Sequence, residues 1–501
     1  MQTLDLIIIF GYLIGVTLFG SWFATKQKTT EDYFVGDRSV PWWAIAASIV
    51  ATETSTITFI SVPGIAFAKN GNFQFLQLVF GYMLGRIVIS LLFIPSYFRG
   101  ELLTVYQLLD DRFGGKIKML AAALFVVMRN IADGIRLLLT AIVLAAVYSA
   151  FQPGTDSALV VAAAIILLGA VMIIFTYYGG MEAVIWVEVI QLGIYIAGAI
   201  AAAIVLSQGI EGGFSGAIAV GQQFNKFVLF DFTLDFTKTY TFWAGLIGGC
   251  FLTMSTHGTD QYLVQRYLCT NRSSSASLAL LTSGAVVLGQ FVGFLFIGVL
   301  LFAFYAPYNL PEYAAAGVAN SGVPATFPFA GGDKVFPDFI TKKMPSGLSG
   351  LVVAAIFAAA LSSSLNSIAA TFVNDLYKPF RQNITDKHLL RVSQILTLVF
   401  GVVQITVALA VQGQNESALS QALSIASLFN GPVLGVFLVG AFLKRVREKA
   451  ALTGMIFSIF LMLYVKLFTP LAWTWYVLLG SLTTFFIAWA ASFIFKEAAK
   501  N

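Results

Sequence analysis

The chain has 501 residues, of which 58% are hydrophobic and 11% are charged, with a net charge of +5 and a mean hydropathy of +0.85. Because soluble domains carry roughly 25% charged residues, this composition excludes a soluble globular protein and indicates a polytopic membrane protein. The two cysteines and two histidines are too few for a disulfide framework or a soft-metal cluster, so we expect neither.

Apolar runs of about 18 residues or more predict about thirteen transmembrane helices. The first run, Leu4 to Ala24, lacks a basic leader and a clear cleavage site, and is predicted to be a retained helix and not a signal peptide. The predicted spans cover residues 3–24, 41–68, 73–98, 117–149, 157–178, 181–207, 241–265, 275–307, 347–376, 387–412, 417–443, 450–467 and 470–495.

Basic residues are concentrated in alternate connections between these spans. By the positive-inside rule this pattern places the N-terminus outside and the C-terminus in the cytoplasm, in agreement with an odd number of spans. We therefore expect an integral protein of the bacterial plasma membrane. Two longer connections, 208–240 and 308–346, fall on the outer side. The second is rich in Gly, Pro and Ala, and is either an external lid or a plain connector.

The second span contains the polar stretch Ala51–Thr58 (ATETSTIT), followed shortly by Pro63 and Gly64. Polar side chains and irregular backbone at membrane depth are tolerated only where they line a cavity or bind something. Hydroxyl and β-branched residues also favour helix less than Leu or Ala do. Many secondary transporters form their solute and ion sites at such a helix break near the midplane. The sequence thus predicts a break and a binding site here.

Polar interruptions recur in the second half of the chain, at Ser255–Asp260 and at Asn430–Pro432. Interrupted helices in corresponding places of two halves indicate inverted repeats. The spans that begin near residues 41 and 241 form the natural pair. We predict one transporter domain over residues 1–501. Its parts are an extra first helix and loop (1–40), a first five-helix repeat (41–207), a second repeat (241–443) and two peripheral helices (450–501).

A second hydroxyl cluster, Ala358–Ser367 (AAALSSSLNS), lies in the ninth span. A desolvated sodium ion takes about five or six hard oxygen ligands. Carbonyls of an unwound turn, together with a carbonyl and hydroxyls on a facing helix, supply such a shell. The predicted sodium ligands are the carbonyl oxygens of Ala51, Thr54 and Ala359 and the hydroxyls of Ser362 and Ser363. The alternative is that these small residues only allow close helix packing.

Ionisable residues inside the membrane are costly and are functional candidates by default. Glu53 is predicted to contact solute, or to pair with Arg86 when the site is empty. Asp133 and Arg136 share one helical face, and form either a structural ion pair or a site where Arg136 or nearby Arg129 binds a solute carboxylate. The predicted solute-binding residues are Glu53, Ser55, Thr58, Gln77, Tyr82, Arg86, Arg136 and His257.

The run Tyr178–Gln191 (YGGMEAVIWVEVIQ) resembles the signature that opens the sixth span of sodium/solute symporters, the family of sodium-coupled sugar, sialic acid, proline and vitamin transporters. Further matches follow in the family's order over nearly the whole chain. They are Glu31–Gly36, Gln261–Tyr267, Leu365–Tyr377 and Gly431–Gly435. The resemblance implies an all-α, leucine-transporter-type core of two inverted five-helix repeats, preceded by one extra helix, and sodium-coupled alternating access.

The resemblance also places the family's main sodium site on the five residues named above. The chain is a few residues shorter than many relatives just before Leu365, and an alignment anchored downstream would put alanines at the hydroxyl positions. Some relatives hold a second sodium ion with an aspartate, where this chain has Glu188; Glu188 and Ser364 would form that site. The alternative for Glu188 is a buried carboxylate paired with a basic residue.

We therefore predict a sodium-coupled symporter that imports a small polar organic solute, such as a sugar or sugar acid. Sodium is the expected coupling ion, with no other cofactor and no nucleic-acid partner, and a monomer is expected to suffice for transport. An enzyme is not expected, because no nucleophile, acid/base pair or metal cluster has suitable spacing. Two alternatives remain: proton coupling through Glu53 or Glu188, and a transporter-like membrane sensor.

Overall fold

The computed structural model describes residues 2–23, 34–68, 70–100, 102–152, 157–178, 181–305, 332–361, 364–381, 385–412 and 418–495. Every regular element within these ranges is helical. Seven helices are long and apolar enough to cross a bilayer, or eight if a bent pair counts as one span. The predicted number of thirteen is not confirmed, because several predicted spans consist of shorter helical pieces.

The α-helices are named in chain order. They are α1 (Thr3–Phe23), α2 (Trp42–Glu53), α3 (Thr56–Phe67), α4 (Leu76–Leu92), α5 (Ile94–Tyr97), α6 (Gln107–Arg112), α7 (Gly115–Phe151), α8 (Ser157–Tyr178), α9 (Met181–Gln208), α10 (Gly213–Gln223), α11 (Gly249–Gly258), α12 (Gln261–Leu268), α13 (Ser273–Tyr305), α14 (Val335–Lys342), α15 (Leu348–Leu361), α16 (Leu365–Thr371), α17 (Asp386–Val411), α18 (Ala418–Phe442), α19 (Glu448–Phe468) and α20 (Tyr476–Ile494). Two π-helical segments, Ala244–Gly248 and Phe372–Tyr377, precede α11 and follow α16.

Two of the predicted helix breaks are present. The axes of α2 and α3 differ by 55°, and Thr54 and Ser55 separate the two helices. In the second half, Thr259 and Asp260 separate α11 from α12. The third predicted interruption, at Asn430–Pro432, is wrong, because α18 continues through Pro432.

The broken pair lies at the centre of the packing. Helix α13 contacts both α2 and α3, α9 contacts α2, and α11 packs on α4. The approach of α4 to α11 is close, since a Cβ atom at Gly85 would lie 2.7 Å from the carbonyl oxygen of Cys250. Such small residues are how membrane helices come within backbone contact. Helices α19 and α20 pack against each other and against α18.

The two connections predicted to lie on the outer side are only partly loops. The connection predicted at 208–240 contains α10 and then an irregular segment. Most of the connection predicted at 308–346 lies outside the described residues. Its described end is a 3₁₀ turn, Gly332–Lys334, followed by α14. The two alternatives for this connection, an external lid and a plain connector, both stay predictions.

Candidate functional site

The break between α2 and α3 leaves backbone carbonyl groups without helical partners. The N–H of Thr54 donates to the carbonyl of Val50 at 2.8 Å, and the hydroxyl of Thr58 donates to the carbonyl of Glu53 at 2.6 Å. Among the described residues, none donates a hydrogen bond to the carbonyl oxygen of Ala51 or Thr54. Both residues are buried. Two oxygens predicted to bind sodium are therefore free to accept a cation.

Helices α15 and α16 run past this break in the opposite direction. The hydroxyl of Thr56 donates to the carbonyl of Ile356 at 3.2 Å. Further along, Ser48 and Ser367 bond to adjacent residues of α12. The stretch after Ile356, which includes Ala359, therefore belongs opposite the break. Ser362 and Ser363, the other predicted sodium ligands, lie outside the described residues, and their role stays a prediction.

Beside the break, the side chains of Arg86 and His257 contact the carboxylate of Glu53, and Tyr267 joins this cluster through His257. Nη2 of Arg86 on α4 lies 2.5 Å from the carboxylate, and Nε2 of His257 on α11 lies 2.6 Å from it. The hydroxyl of Tyr267 on α12 is 2.9 Å from Nδ1 of His257. The side chain of Arg86 is fully buried, and that of Glu53 is 17% exposed. The structure thus brings together three predicted solute-binding residues and adds Tyr267.

Arg86 keeps unused donors in this arrangement. Its Nε and Nη1 atoms are buried and have no hydrogen-bond partner among the described residues. Tyr82 lies one turn earlier on α4, within electrostatic range of Glu53 and Arg86. An arginine with two buried, unpartnered nitrogen atoms has the capacity to bind a further oxygen-bearing group.

The remaining predicted solute residues are placed differently. Ser55 and Thr58 are buried at the break itself. Gln77, also buried, lies in the first turn of α4 and faces the 208–240 connection. Its Nε2 donates to the carbonyl of Tyr240 at 3.2 Å, and its Oε1 accepts from the N–H of Asp231 at 3.0 Å. Gln77 thus ties α4 to that connection and is not part of the Glu53 cluster.

Tyr262 on α12 lies at the centre of three guanidinium groups. The carbon atoms Cζ of Arg129, Arg266 and Arg136 lie 3.9, 4.5 and 5.8 Å from its ring centroid. Cations over an aromatic face are attracted by the ring quadrupole. Sequence reasoning missed this arrangement. The only available signal was that Tyr262 belongs to the motif Gln261–Tyr267.

Acidic residues balance these arginines at longer range. Asp133 lies 3.7 Å from both Arg129 and Arg136, and it accepts a hydrogen bond from the hydroxyl of Ser364. Asp260 lies 3.6 Å from Arg129, and its Oδ1 caps α12 by accepting from the N–H of Tyr262. Nη1 of Arg136 also lies 3.4 Å from the Tyr262 hydroxyl, and its buried Nε has no described partner.

Glu188 forms the ion pair that the sequence left as an alternative to a second sodium site. Its Oε1 lies 2.6 Å from Nη2 of Arg266 and accepts from the hydroxyl of Thr52 at 3.1 Å. Ser48 donates to its Oε2. Ser364, the other residue of that predicted site, bonds instead to Asp133. A second sodium site at Glu188 and Ser364 stays a prediction.

Lys226, in the 208–240 connection, was not among the predicted site residues. Its side chain lies at the C-terminal end of α3. Its Nζ donates to the carbonyl of Ala68 at 2.7 Å, where α3 ends, and lies 4.2 Å from the ring centroid of Phe302. Burial lowers the pKa of Lys226 to about 7. A lysine at the last carbonyls of a helix acts as a C-terminal cap.

No group of three or more His, Cys, Asp or Glu side chains suited to a metal ion occurs in the described part of the chain. The family model of the sodium:solute symporter family matches residues 33–458 of this chain. The chain belongs to the sodium:solute symporter family. Its members and relatives are transporters and not enzymes, so the chain is an integral membrane transporter with sodium as the coupling ion.

Similar family members are known from sequence. The chain is 31% identical to the sodium/sialic acid symporter NanT of Aliivibrio fischeri, over 99% of this chain and 94% of that protein. It is 30% identical to the sodium/sialic acid symporter SiaT of Proteus mirabilis, over 95% and 92%. It is 27% identical to the human sodium/iodide cotransporter, over 88% of this chain and 66% of that protein.

Solved structures agree with the fold. A Na⁺-coupled sialic acid symporter in a substrate-bound outward-open state is 28% identical, with a TM-score of 0.85 and 99% coverage of both chains. The nucleobase-cation symporter Mhp1 in a closed conformation has a TM-score of 0.58 at 14% identity, covering 94% of this chain and 98% of that one. The symporter chain therefore has the predicted leucine-transporter-type fold.

Proposed function

We propose that this symporter imports a small anionic sugar acid, of the sialic acid class, together with sodium. The observation that carries the proposal is the pair of buried carbonyl oxygens at the α2–α3 break, which have no donor among the described residues and lie beside the Glu53–Arg86–His257 cluster. Two relatives of about one-third identity are named sodium/sialic acid symporters, which supports this solute class.

Sodium binds at the break in this proposal. The carbonyl oxygens of Ala51 and Thr54 come from one side and that of Ala359 from the other, with the hydroxyls of Ser362 and Ser363 as the sequence predicts. Carbonyls that have lost their helical donors can ligate a hard cation without breaking a backbone hydrogen bond. The ion would hold the broken helix against α15.

The solute binds beside the ion, with its carboxylate on Arg136. The Arg136 side chain is 14% exposed, and among the described residues its guanidinium makes polar contacts of 3.4 Å or longer with Tyr262 and Asp133, so it has N–H groups to offer. Arg86 pairs with Glu53 through Nη2, and its side chain is fully buried, whereas that of Arg136 is partly exposed. Glu53, being partly exposed, accepts hydrogen bonds from solute hydroxyls. A bidentate arginine–carboxylate pair gives both energy and orientation.

Coupling follows from the shared break. Bound sodium orders the turn at Thr54 and Ser55, and this positions Glu53 and Thr58 to bind the solute. Bound solute in turn favours the conformation of the turn that binds sodium. By linkage, each ligand tightens the binding of the other by the same factor. Closure on the loaded site and release toward the cytoplasm complete alternating access.

Thermal unfolding of the purified protein tests the solute class. We expect sialic acid to raise the melting temperature in sodium and not in potassium, because a ligand stabilises the state that binds it. Arg136→Gln should lose the sialic acid shift and keep the sodium shift, and Arg136→Lys should keep the sodium shift and part of the sialic acid shift. An equal shift with a neutral hexose, or a sialic acid shift that is independent of sodium, would contradict the proposal.

A further inference from the structure

The first turn of α15 is capped by a residue from a different helix. The N–H groups of Gly347 and Gly350 donate to Oδ1 of Asp5 on α1, at 2.7 and 2.9 Å. The hydroxyl of Ser346 lies 3.3 Å from Oδ2. Asp5 is fully buried although it is ionisable. The first N–H groups of a helix have no partner within the helix, so the Asp5 carboxylate satisfies two of them. Its negative charge also interacts favourably with the positive end of the helix dipole.

The sequence around the cap is adapted to this contact. Gly350 has no room for a side chain, since a Cβ atom there would lie 2.6 Å from Cα of Asp5. Gly347 has a φ of +90°, a backbone conformation that glycine adopts readily. Its carbonyl also accepts the first bond of α15, from the N–H of Leu351 at 3.0 Å. The backbone of α1 therefore lies directly against the start of α15.

The capped helix is the one that carries a proposed sodium ligand. Helix α15 is continuous from Leu348 to Leu361. Ala359 follows Gly350 by nine residues, about 13 Å along the axis at 1.5 Å per residue. A continuous helix transmits a shift of its first turn to that position. Helix α1 precedes the broken pair in the chain and packs extensively against α15.

We propose that Asp5 is a positioning residue for sodium binding, which sets the axial position of α15 and with it the ion ligands opposite the α2–α3 break. The proposal rests on the proposed sodium site. Without the cap, the first turn frays and α15 occupies the binding-competent position for only part of the time. The apparent sodium affinity falls by that fraction.

The test compares Asp5→Ala and Asp5→Asn with wild type in proteoliposomes, with sodium titrated at saturating sialic acid. Asp5→Ala should raise the sodium concentration for half-maximal uptake about fivefold, because the competent fraction falls to about one fifth. Asp5→Asn keeps an oxygen that both glycine N–H groups can reach, so its rise should be smaller, about twofold. The maximal rate at saturating sodium should stay close to wild type for both variants.

The matched control is Ile9→Ala, which removes a buried apolar side chain from the same helix without touching the cap. It should lower the melting temperature and leave the sodium half-saturation unchanged. The inference is overturned if all three variants, Asp5→Asn, Asp5→Ala and Ile9→Ala, lower stability but keep the wild-type sodium concentration for half-maximal uptake. Asp5 would then be only structural. A wild-type protein without any sodium dependence would instead overturn the proposed function itself.

Discussion

The carboxylate of Glu188 on α9 lies 2.6 Å from the guanidinium of Arg266 on α12, and both side chains are buried. Removing one member of a buried ion pair leaves the other charge uncompensated, which typically costs about 3–5 kcal/mol. Glu188→Gln should therefore lower the melting temperature strongly. Because Arg266, Ser48 and Thr52 already engage the carboxylate, the loss should be equal in sodium and in potassium.

A double-mutant cycle separates the pair from other roles of Glu188. Glu188→Gln combined with Arg266→Met should cost less than the sum of the single changes, since no unpaired charge remains. If Glu188→Gln destabilised the protein only in sodium, Glu188 would be an ion ligand, as the resemblance to the family implied.

Substitution of Glu53 should abolish uptake. Glu53→Gln keeps the shape of the side chain but removes the charge that pairs with Arg86. The buried guanidinium then loses its counter-ion, and the arrangement of side chains in the pocket changes. We expect sodium-driven sialic acid uptake to fall by at least about tenfold. The exposed Glu211 supplies the matched control, and Glu211→Gln should transport like wild type. Normal uptake by Glu53→Gln would remove Glu53 from the site.

Lys226 makes stability depend on pH in the neutral to alkaline range. Burial lowers its pKa to about 7 from an ordinary value of 10.5. Between these values the unfolded chain holds a proton that the folded chain has lost, so the free energy of unfolding rises with pH. The slope is at most about 1.4 kcal/mol per pH unit. Melting temperatures measured from pH 7 to 10 should rise in wild type relative to Lys226→Met, and parallel curves would refute this assignment.

The contact of α4 with α11 should not tolerate a methyl group at Gly85. A Cβ atom there would lie 2.7 Å from the carbonyl oxygen of Cys250, and backbone cannot rotate away as a side chain can. Gly85→Ala should destabilise the protein by about 1–3 kcal/mol. Gly289→Ala on α13, where nothing lies within 4 Å, should be neutral or slightly stabilising. Equal melting temperatures for the two variants would contradict the close approach.

Much of the fold was readable from local sequence. The length of the apolar runs predicts the long helices, because a helix that crosses a bilayer needs about 20 consecutive apolar residues. The breaks at Thr54–Ser55 and Thr259–Asp260 were predicted because polar, poorly helix-forming residues interrupt apolar runs there. The same reasoning was wrong at Pro432, where α18 continues. Residue type alone does not reveal whether neighbouring groups satisfy a freed carbonyl.

The site was less predictable, because its contacts join distant parts of the chain. The sequence predicted that Glu53 pairs with Arg86 in an empty site, and the structure contains this pair. Nothing local indicates that Asp5 caps a helix that begins at Leu348, or that Tyr262 lies among three arginines. Gln77 was predicted to bind solute, yet it bonds to the 208–240 connection. Partner choice depends on tertiary packing, which spacing does not encode.

Uptake of sialic acid into proteoliposomes under imposed ion gradients tests the central claim most directly. An inward sodium gradient should drive accumulation above the equilibrium level. An inward proton gradient with potassium or choline in place of sodium should drive none. Accumulation driven by the proton gradient alone, at the same rate with and without sodium, would contradict the account and transfer the coupling role to the buried carboxylates.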